Sequence, residues 1–243
     1  MENLPTILKT ISQAKRIAIV LPEQLSLDAL CAGIALQSGI SRGENAVSPV
    51  LISAATEVPA TQFLSKTPPL HSALTSSNGL AIKVANSHAQ PKELRYEKTA
   101  DGGLVVFITP SEGQFLDSDV SVLPSAANFD LAIILGAGNL EQLGSVYTDN
   151  TKLFFETPNI NIDINPANEY YGTINVVNTT ATSLSEAVMD IIEAMPKALE
   201  SETVSTSLLA GIISQTASFR DPKTTPTALL KASRLIESGA KQQ

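Results

Sequence analysis

Two acidic residues, Asp28 and Asp163, follow or end two different segments that read as strands, the apolar run Ile17-Ala-Ile-Val-Leu21 and Asn159-Ile-Asn-Ile-Asp163. In an open α/β sheet the ligand sits beyond the carboxyl ends of the strands. Chemistry is therefore expected in the loops after Leu21, Leu135 and Ile162, and around Gln215. Two carboxylates converging at such an edge can hold a hard divalent cation through oxygen. Each also has a structural reading. Asp28 is a first-turn acid of a helix capped by Ser26, and Asp163 caps the turn at Pro166. Spacing alone leaves both readings open.

Other chemistries fare worse. Gly136-Ala-Gly138 lacks the third glycine of a dinucleotide fingerprint and reads as a turn. A Ser-His-Asp or Cys-His apparatus needs a histidine at the strand ends, but His71 and His88, the chain's two histidines, fall in or beside an inserted segment. Cys31 lies on the apolar stripe of its helix, where a thiol packs rather than reacts. With one cysteine there is neither an intrachain disulfide nor a cysteine zinc cluster. Asn178-Thr-Thr180 matches a glycosylation acceptor by chance, since no secretory leader is read.

The elements that must position these residues follow from periodicity. Leu4, Ile7, Leu8 and Ile11 recur at helical spacing ahead of the first strand. Leu27, Leu30, Cys31, Ile34 and Ala35 line a second helix that Gly39 can terminate. Val50-Leu-Ile52 reads as a strand, followed by loop and a short helix. Residues 80–108 change character: alternating segments flank Asp101-Gly-Gly103, a hairpin signal. Phe129-Asp-Leu-Ala-Ile-Ile-Leu135 ends abruptly at Gly136, and Thr173-Ile-Asn-Val-Val177 is a further strand. Ser183-Leu-Ser-Glu186 is a capping box opening a helix that Pro196 stops. Helices around Leu208 to Ile213 and from Pro226 to Gly239 complete the chain. The expectation is an α/β fold with a mainly parallel sheet flanked by helices, one domain over residues 1–243, and an insertion over 70–127 containing a β-hairpin.

The 243 residues are 43% apolar and 16% charged, enough for a sizeable core. A formal charge of −8 disfavours long nucleic acid and anionic membrane surfaces as partners. The longest apolar runs fall far short of the roughly 20 residues of a spanning helix. The reading is a cytoplasmic protein with no membrane association.

The order of these loops resembles the DHH phosphoesterase family, in its nanoRNase/pAp-phosphatase branch. Ile17-Ala-Ile-Val-Leu-Pro-Glu-Gln-Leu-Ser-Leu-Asp-Ala-Leu-Cys-Ala-Gly-Ile-Ala-Leu36 resembles the first motif. Residues 129–144, 159–178 and 208–226 resemble the later segments in order. The most specific piece is Asn161-Ile-Asp-Ile-Asn-Pro-Ala-Asn-Glu-Tyr-Tyr-Gly-Thr-Ile-Asn-Val-Val177. The resemblance implies a two-Mn²⁺ phosphoester hydrolase whose ligands are Asp and His, but most of those positions have changed. The His, Asp and Asp of the first motif read Pro22, Ser26 and Asp28. The bridging Asp reads Gly136, the signature Asp-His-His reads Asp163-Ile164-Asn165, and the last Asp reads Gln215 before Thr216.

Glycine cannot bridge two ions, and neutral amide oxygens hold hard cations weakly. The family also continues into a glycine-rich C-terminal lobe that this sequence does not contain. The expectation is therefore a catalytically degenerate, homodimeric binding or interaction module without a cofactor. Its polar cleft of Ser26, Asp28, Gly136, Asn139, Asp163, Asn165, Gln215 and Thr216 would accept a nucleotide or small phosphorylated ligand. Two alternatives stand beside it. One is a rebuilt one-metal site, with Asp28 and Asp163 holding Mn²⁺ or Mg²⁺. The other is a purely structural subunit.

Overall fold

The structure, a computed structural model, describes residues 3–43, 47–126 and 129–241. It divides into two compact units, Met1–Leu74 with Asn128–Gln243, and Thr75–Ala127.

The larger unit opens with helix α1 (Leu4–Gln13), strand β1 (Ile17–Val20), helix α2 (Leu27–Ser41), strand β2 (Val50–Ile52) and the two-residue strand β3 (Leu70–His71). After the second unit, whose strands are β4 to β7, the chain returns as β8 (Leu131–Leu135). Helices α3 (Ser145–Thr148) and α4 (Thr151–Glu156) then lead to β9 (Asn159–Asp163) and β10 (Ile174–Val177). Helices α5 (Leu184–Ile192), α6 (Glu202–Gln215) and α7 (Pro226–Glu237) close it. The six strands form one parallel sheet in the order β10-β9-β8-β1-β2-β3.

Both faces of this sheet are covered, which is why β1, β2 and β8 read as continuous apolar runs. Alternate residues serve different cores. Ile17, Ile19, Leu131, Ile133 and Leu135 pack with residues of α1, α2, α5, α6 and α7, whereas Ala18, Val20 and Ile134 pack with Val146 of α3 and Phe154 of α4. Helix α2 is buried almost all round and packs against both α5 and α6. Its start is fixed by Ser26, whose side chain accepts from Ala29 N at 3.1 Å. The capping box at Ser183 and Glu186 forms as the sequence indicated, and α7 begins at Pro226 behind a Thr225 cap.

Connections run outward in both directions from β1, to β2 on one side and to β8, β9 and β10 on the other. The topological switch point is thus the crevice between the loops that leave β1 and β8.

Two expectations need correction. The segment after β2 contains no helix, because Pro59, Pro68 and Pro69 remove donors and fix extended backbone. Leu70–His71 then pairs with β2 inside the parallel sheet, so the second unit starts at Thr75 rather than at residue 70.

The second unit is a pair of two-stranded antiparallel ladders. Strand β4 (Thr75–Val84) pairs with β7 (Val120–Ala126), and β5 (Ala89–Lys98) pairs with β6 (Leu104–Gly113). The β5–β6 turn spans residues 99–103: Thr99 N donates to Gly103 O at 2.9 Å, and Gly102 takes φ +86°. Buried Asp119 joins the two connecting segments by accepting from Leu116 N and bonding His88 Nδ1.

Candidate functional site

Asp28 is 4% exposed, and both its carboxylate oxygens are occupied. Oδ2 accepts from Leu184 N at 2.7 Å, while Oδ1 accepts from Ser185 N at 3.0 Å and Ser185 Oγ at 2.6 Å. It therefore sits at the positive amino end of α5, a natural place for a carboxylate. Gly211 of α6 seals the far side, since a Cβ there would lie 2.8 Å from Asp28 Oδ1 and would overlap Ser185 Oγ outright. Burial dominates the electrostatics and pushes the Asp28 carboxyl up to about 6, against the opposing pull of its three hydrogen bonds. The Cys31 thiol one helical turn on is pushed up to about 12, mainly by burial.

Asp163, 3% exposed, is turned to its own loop. Oδ1 accepts from Ile164 N at 2.7 Å and Asn165 N at 3.2 Å, and Oδ2 accepts from Asn168 Nδ2 at 2.7 Å. Asn168 is the hub of a buried amide network. It also donates to Ala137 O and Asn161 Oδ1, and accepts from Asn161 Nδ2 and Tyr170 N. Tyr171 Oη donates to Ala137 O at 2.9 Å, and burial raises its phenol above the ordinary value. Among the described residues, Asp28 and Asp163 share no hydrogen-bonding partner.

Gly136 joins the two neighbourhoods. Its N donates to Ile162 O at 2.8 Å, next to Asp163. Its φ is +68°, and a Cβ added there would lie 2.9 Å from Leu184 Cδ2. The switch-point crevice is bridged beside it, because Glu23 N donates to Gln142 O and Gln142 Oε1 accepts from Gly138 N.

The remaining expected residues divide by exposure. Ser26 is an exposed N-cap. Half-buried Asn139 caps the turn Leu140–Leu143 and donates to Glu169 Oε1 at 3.3 Å. Exposed Asn165 holds Ala167 N, and Gln215 is exposed at the end of α6. Thr216 is fully buried, donating to Ile212 O and accepting from Phe219 N, so its hydroxyl is not offered to a ligand. Beyond it, Ala217, Ser218 and Phe219 take φ values of +48°, +59° and +63°, a strained run for side chains bearing Cβ. Ala217 and Ser218 line a cleft of about 320 Å³ with Leu27, Phe63 and Ser214.

Among the described residues, no group of three or more His, Cys, Asp or Glu side chains is placed to hold a metal ion. The sequence reading missed Ser185, Gly211, Asn168 and Asn161. For the last two a signal existed: Asn159, Asn161, Asn165, Asn168 and Asn175 crowd one strand–loop–strand unit, where amides must find partners if buried.

Comparison with known proteins gives partial matches. The bifunctional oligoribonuclease and PAP phosphatase NrnA of Thermus thermophilus is 33% identical over 82 residues, covering 34% of this chain and 25% of that protein. The uncharacterized protein MG371 of Mycoplasma genitalium is 32% identical over 109 residues, covering 45% of this chain and 32% of that protein. The chain thus spans between a quarter and a third of the length of the curated relatives it matches. No family model matches. The crystal structure of an exopolyphosphatase-related protein from Bacteroides fragilis superposes with a TM-score of 0.65 at 14% identity, covering 99% of this chain and 58% of that one. The sequence kinship to NrnA and this superposition agree with the loop order read from the sequence: the chain has a DHH phosphoesterase-like fold.

Proposed function

We propose that this chain is a catalytically degenerate DHH-type domain that binds a nucleotide or another small phosphorylated ligand at the carboxyl edge of its sheet without hydrolysing it. The observation that carries the reading is Gly136. Its left-handed backbone and the contact a Cβ would make with Leu184 disfavour any side chain at the place where the family's resemblance puts a carboxylate shared by two ions. Asp28, the survivor of the first motif, spends both oxygens on the amino end of α5. Asp163 spends both on its own loop. The residues present do not fit a pair of Mn²⁺ ions.

Strain supports a ligand role. Tyr170 and the run Ala217 to Phe219 hold left-handed backbone in loops at the carboxyl edge, where strain is stored for binding. Exposed Ser26, Asn165 and Gln215 supply hydrogen bonds without charge. A second reading, a structural subunit, is favoured by the completeness of the internal partners of Asp28, Asp163 and Thr216. No helix among the described residues is long and apolar enough to cross a membrane.

Thermal unfolding with a panel of mono- and dinucleotides separates the two, because a ligand that binds only the folded form raises the midpoint. The proposal expects a rise with at least one nucleotide and no turnover of oligoribonucleotides or pAp with added Mn²⁺. Turnover abolished by Asp163→Ala overturns it, and a midpoint unmoved by the whole panel returns the structural reading.

A further inference from the structure

The hairpin Ala89–Gly113 has two unlike edges. Strand β5 carries Lys92, Glu93, Arg95, Glu97 and Lys98. Strand β6 runs Leu104-Val-Val-Phe-Ile-Thr109 without a charge, and among the described residues it pairs only with β5. Sheets protect free edges with charge, proline or bulges, and an uncharged run of β-branched and aromatic residues is the pattern that pairs with a copy of itself.

The side chains are correspondingly bare: Leu104 is 62% exposed, Val105 and Phe107 are 41%, and the cross-strand neighbours Leu94 and Tyr96 are 67% and 63%. The bond from Thr99 N to Gly103 O fixes the phase of the ladder. Val105 and Phe107 exchange their main-chain bonds with Glu97 and Arg95, which leaves the N–H and C=O of Leu104, Val106 and Ile108 turned to the open edge. Two strands alone are marginal in water, whereas three or more with an apolar face persist.

We propose that β6 is a dimerisation strand: two copies of this chain pair β6 to β6, antiparallel, about a two-fold axis at Val106. The sheet so formed runs β5-β6-β6-β5. Its centre is the uncharged run Leu104–Thr109 of each β6, with the single acid Glu112 beyond Pro110, and its outer edges are the strands that carry five charges each, as in natural sheets. Leu104 then faces Ile108 of the partner subunit, and Val105 faces Phe107 of the partner subunit. The segment is bounded alike on both sides, by the turn at residues 99–103 and by Pro110, which has no N–H to donate. This distribution selects a second copy as occupant, since pairing through β5 instead brings the charges of both copies to the centre. The inference goes beyond the ligand reading and holds whether or not the carboxyl edge binds anything.

Sedimentation equilibrium of the whole chain up to about 100 μM, a range that captures modest affinities, tests it. The native chain is expected at twice the monomer mass, and Leu104→Lys and Val106→Pro each at the monomer mass with an unchanged helical circular dichroism signal. Val106→Pro removes an N–H that faces the open edge and so breaks no bond of the hairpin itself. Oxidation of Val106→Cys should give a covalent dimer, whereas Tyr96→Cys on the charged strand should not; the native Cys31 is buried. A native chain that stays monomeric, a dimer that survives both substitutions, or cross-linking through Tyr96→Cys in place of Val106→Cys overturns the proposal.

Discussion

Replacing Asp28 with Asn should change the pH dependence of stability in a direction set by burial. The ordinary value of this carboxyl is 3.8, and in the fold it lies at about 6. Because the folded value is the higher one, the fold prefers the protonated acid. Asp28's favourable contribution is complete below the unfolded value and is lost as pH rises through about 6. The gap corresponds to about 3 kcal/mol at 25 °C. Surface acids titrate in the same range and oppose this trend, so the quantity to follow is the native-minus-variant difference in unfolding free energy, in which every shared group cancels.

Urea unfolding followed by helical circular dichroism reports the larger unit, which holds every α-helix among the described residues. The difference should grow in favour of the native chain by about 2.5 kcal/mol as pH falls from 7.5 to 4, most of it below pH 6, with the remainder below pH 4. At pH 7.5 the Asp28→Asn variant forfeits at least one acceptor and points an amide N–H₂ at a main-chain N–H, a penalty that does not depend on pH. A difference that is flat with pH, or that grows toward alkaline pH as for a carboxylate held charged by a cation, would refute the burial argument.

Two glycines give further tests. Gly136→Ala should destabilise by about 2–4 kcal/mol, combining a left-handed φ with a methyl pressed on Leu184, and Gly136→Asp should do so at least as strongly while gaining no affinity for Mn²⁺. A loss under about 1 kcal/mol in urea unfolding contradicts the first claim. Gly211→Ala places a methyl against Ser185 Oγ and Asp28 at the tightest packing in the site, so soluble yield or unfolding midpoint should fall sharply. Normal stability would mean that α6 does not seal Asp28.

The fold was legible where one physical signal dominated. Strands β1 and β8 are short apolar runs because the parallel sheet is buried on both faces, and α5 announced itself through a capping box. Helices α3 and α4, of four and six residues, are shorter than the window in which periodicity can register. The two-residue β3 carries no pattern at all.

In the candidate site, a residue's place along the chain was legible and its orientation was not. Asp28 could be placed after a strand and inside a first turn, yet its partners Leu184 and Ser185 lie 156 and 157 residues away along the chain. No local rule reports that a carboxylate caps someone else's helix. Thr216 shows the same limit, since a hydroxyl at a helix end serves the backbone as readily as a ligand.

The most direct test of a degenerate hydrolase framework is the number of Mn²⁺ ions the chain holds, read from the paramagnetic resonance of free Mn²⁺ during titration at pH 7.5. Free ion should follow total ion, with no site tighter than about 1 mM. Two ions retained per chain at micromolar concentration would contradict it.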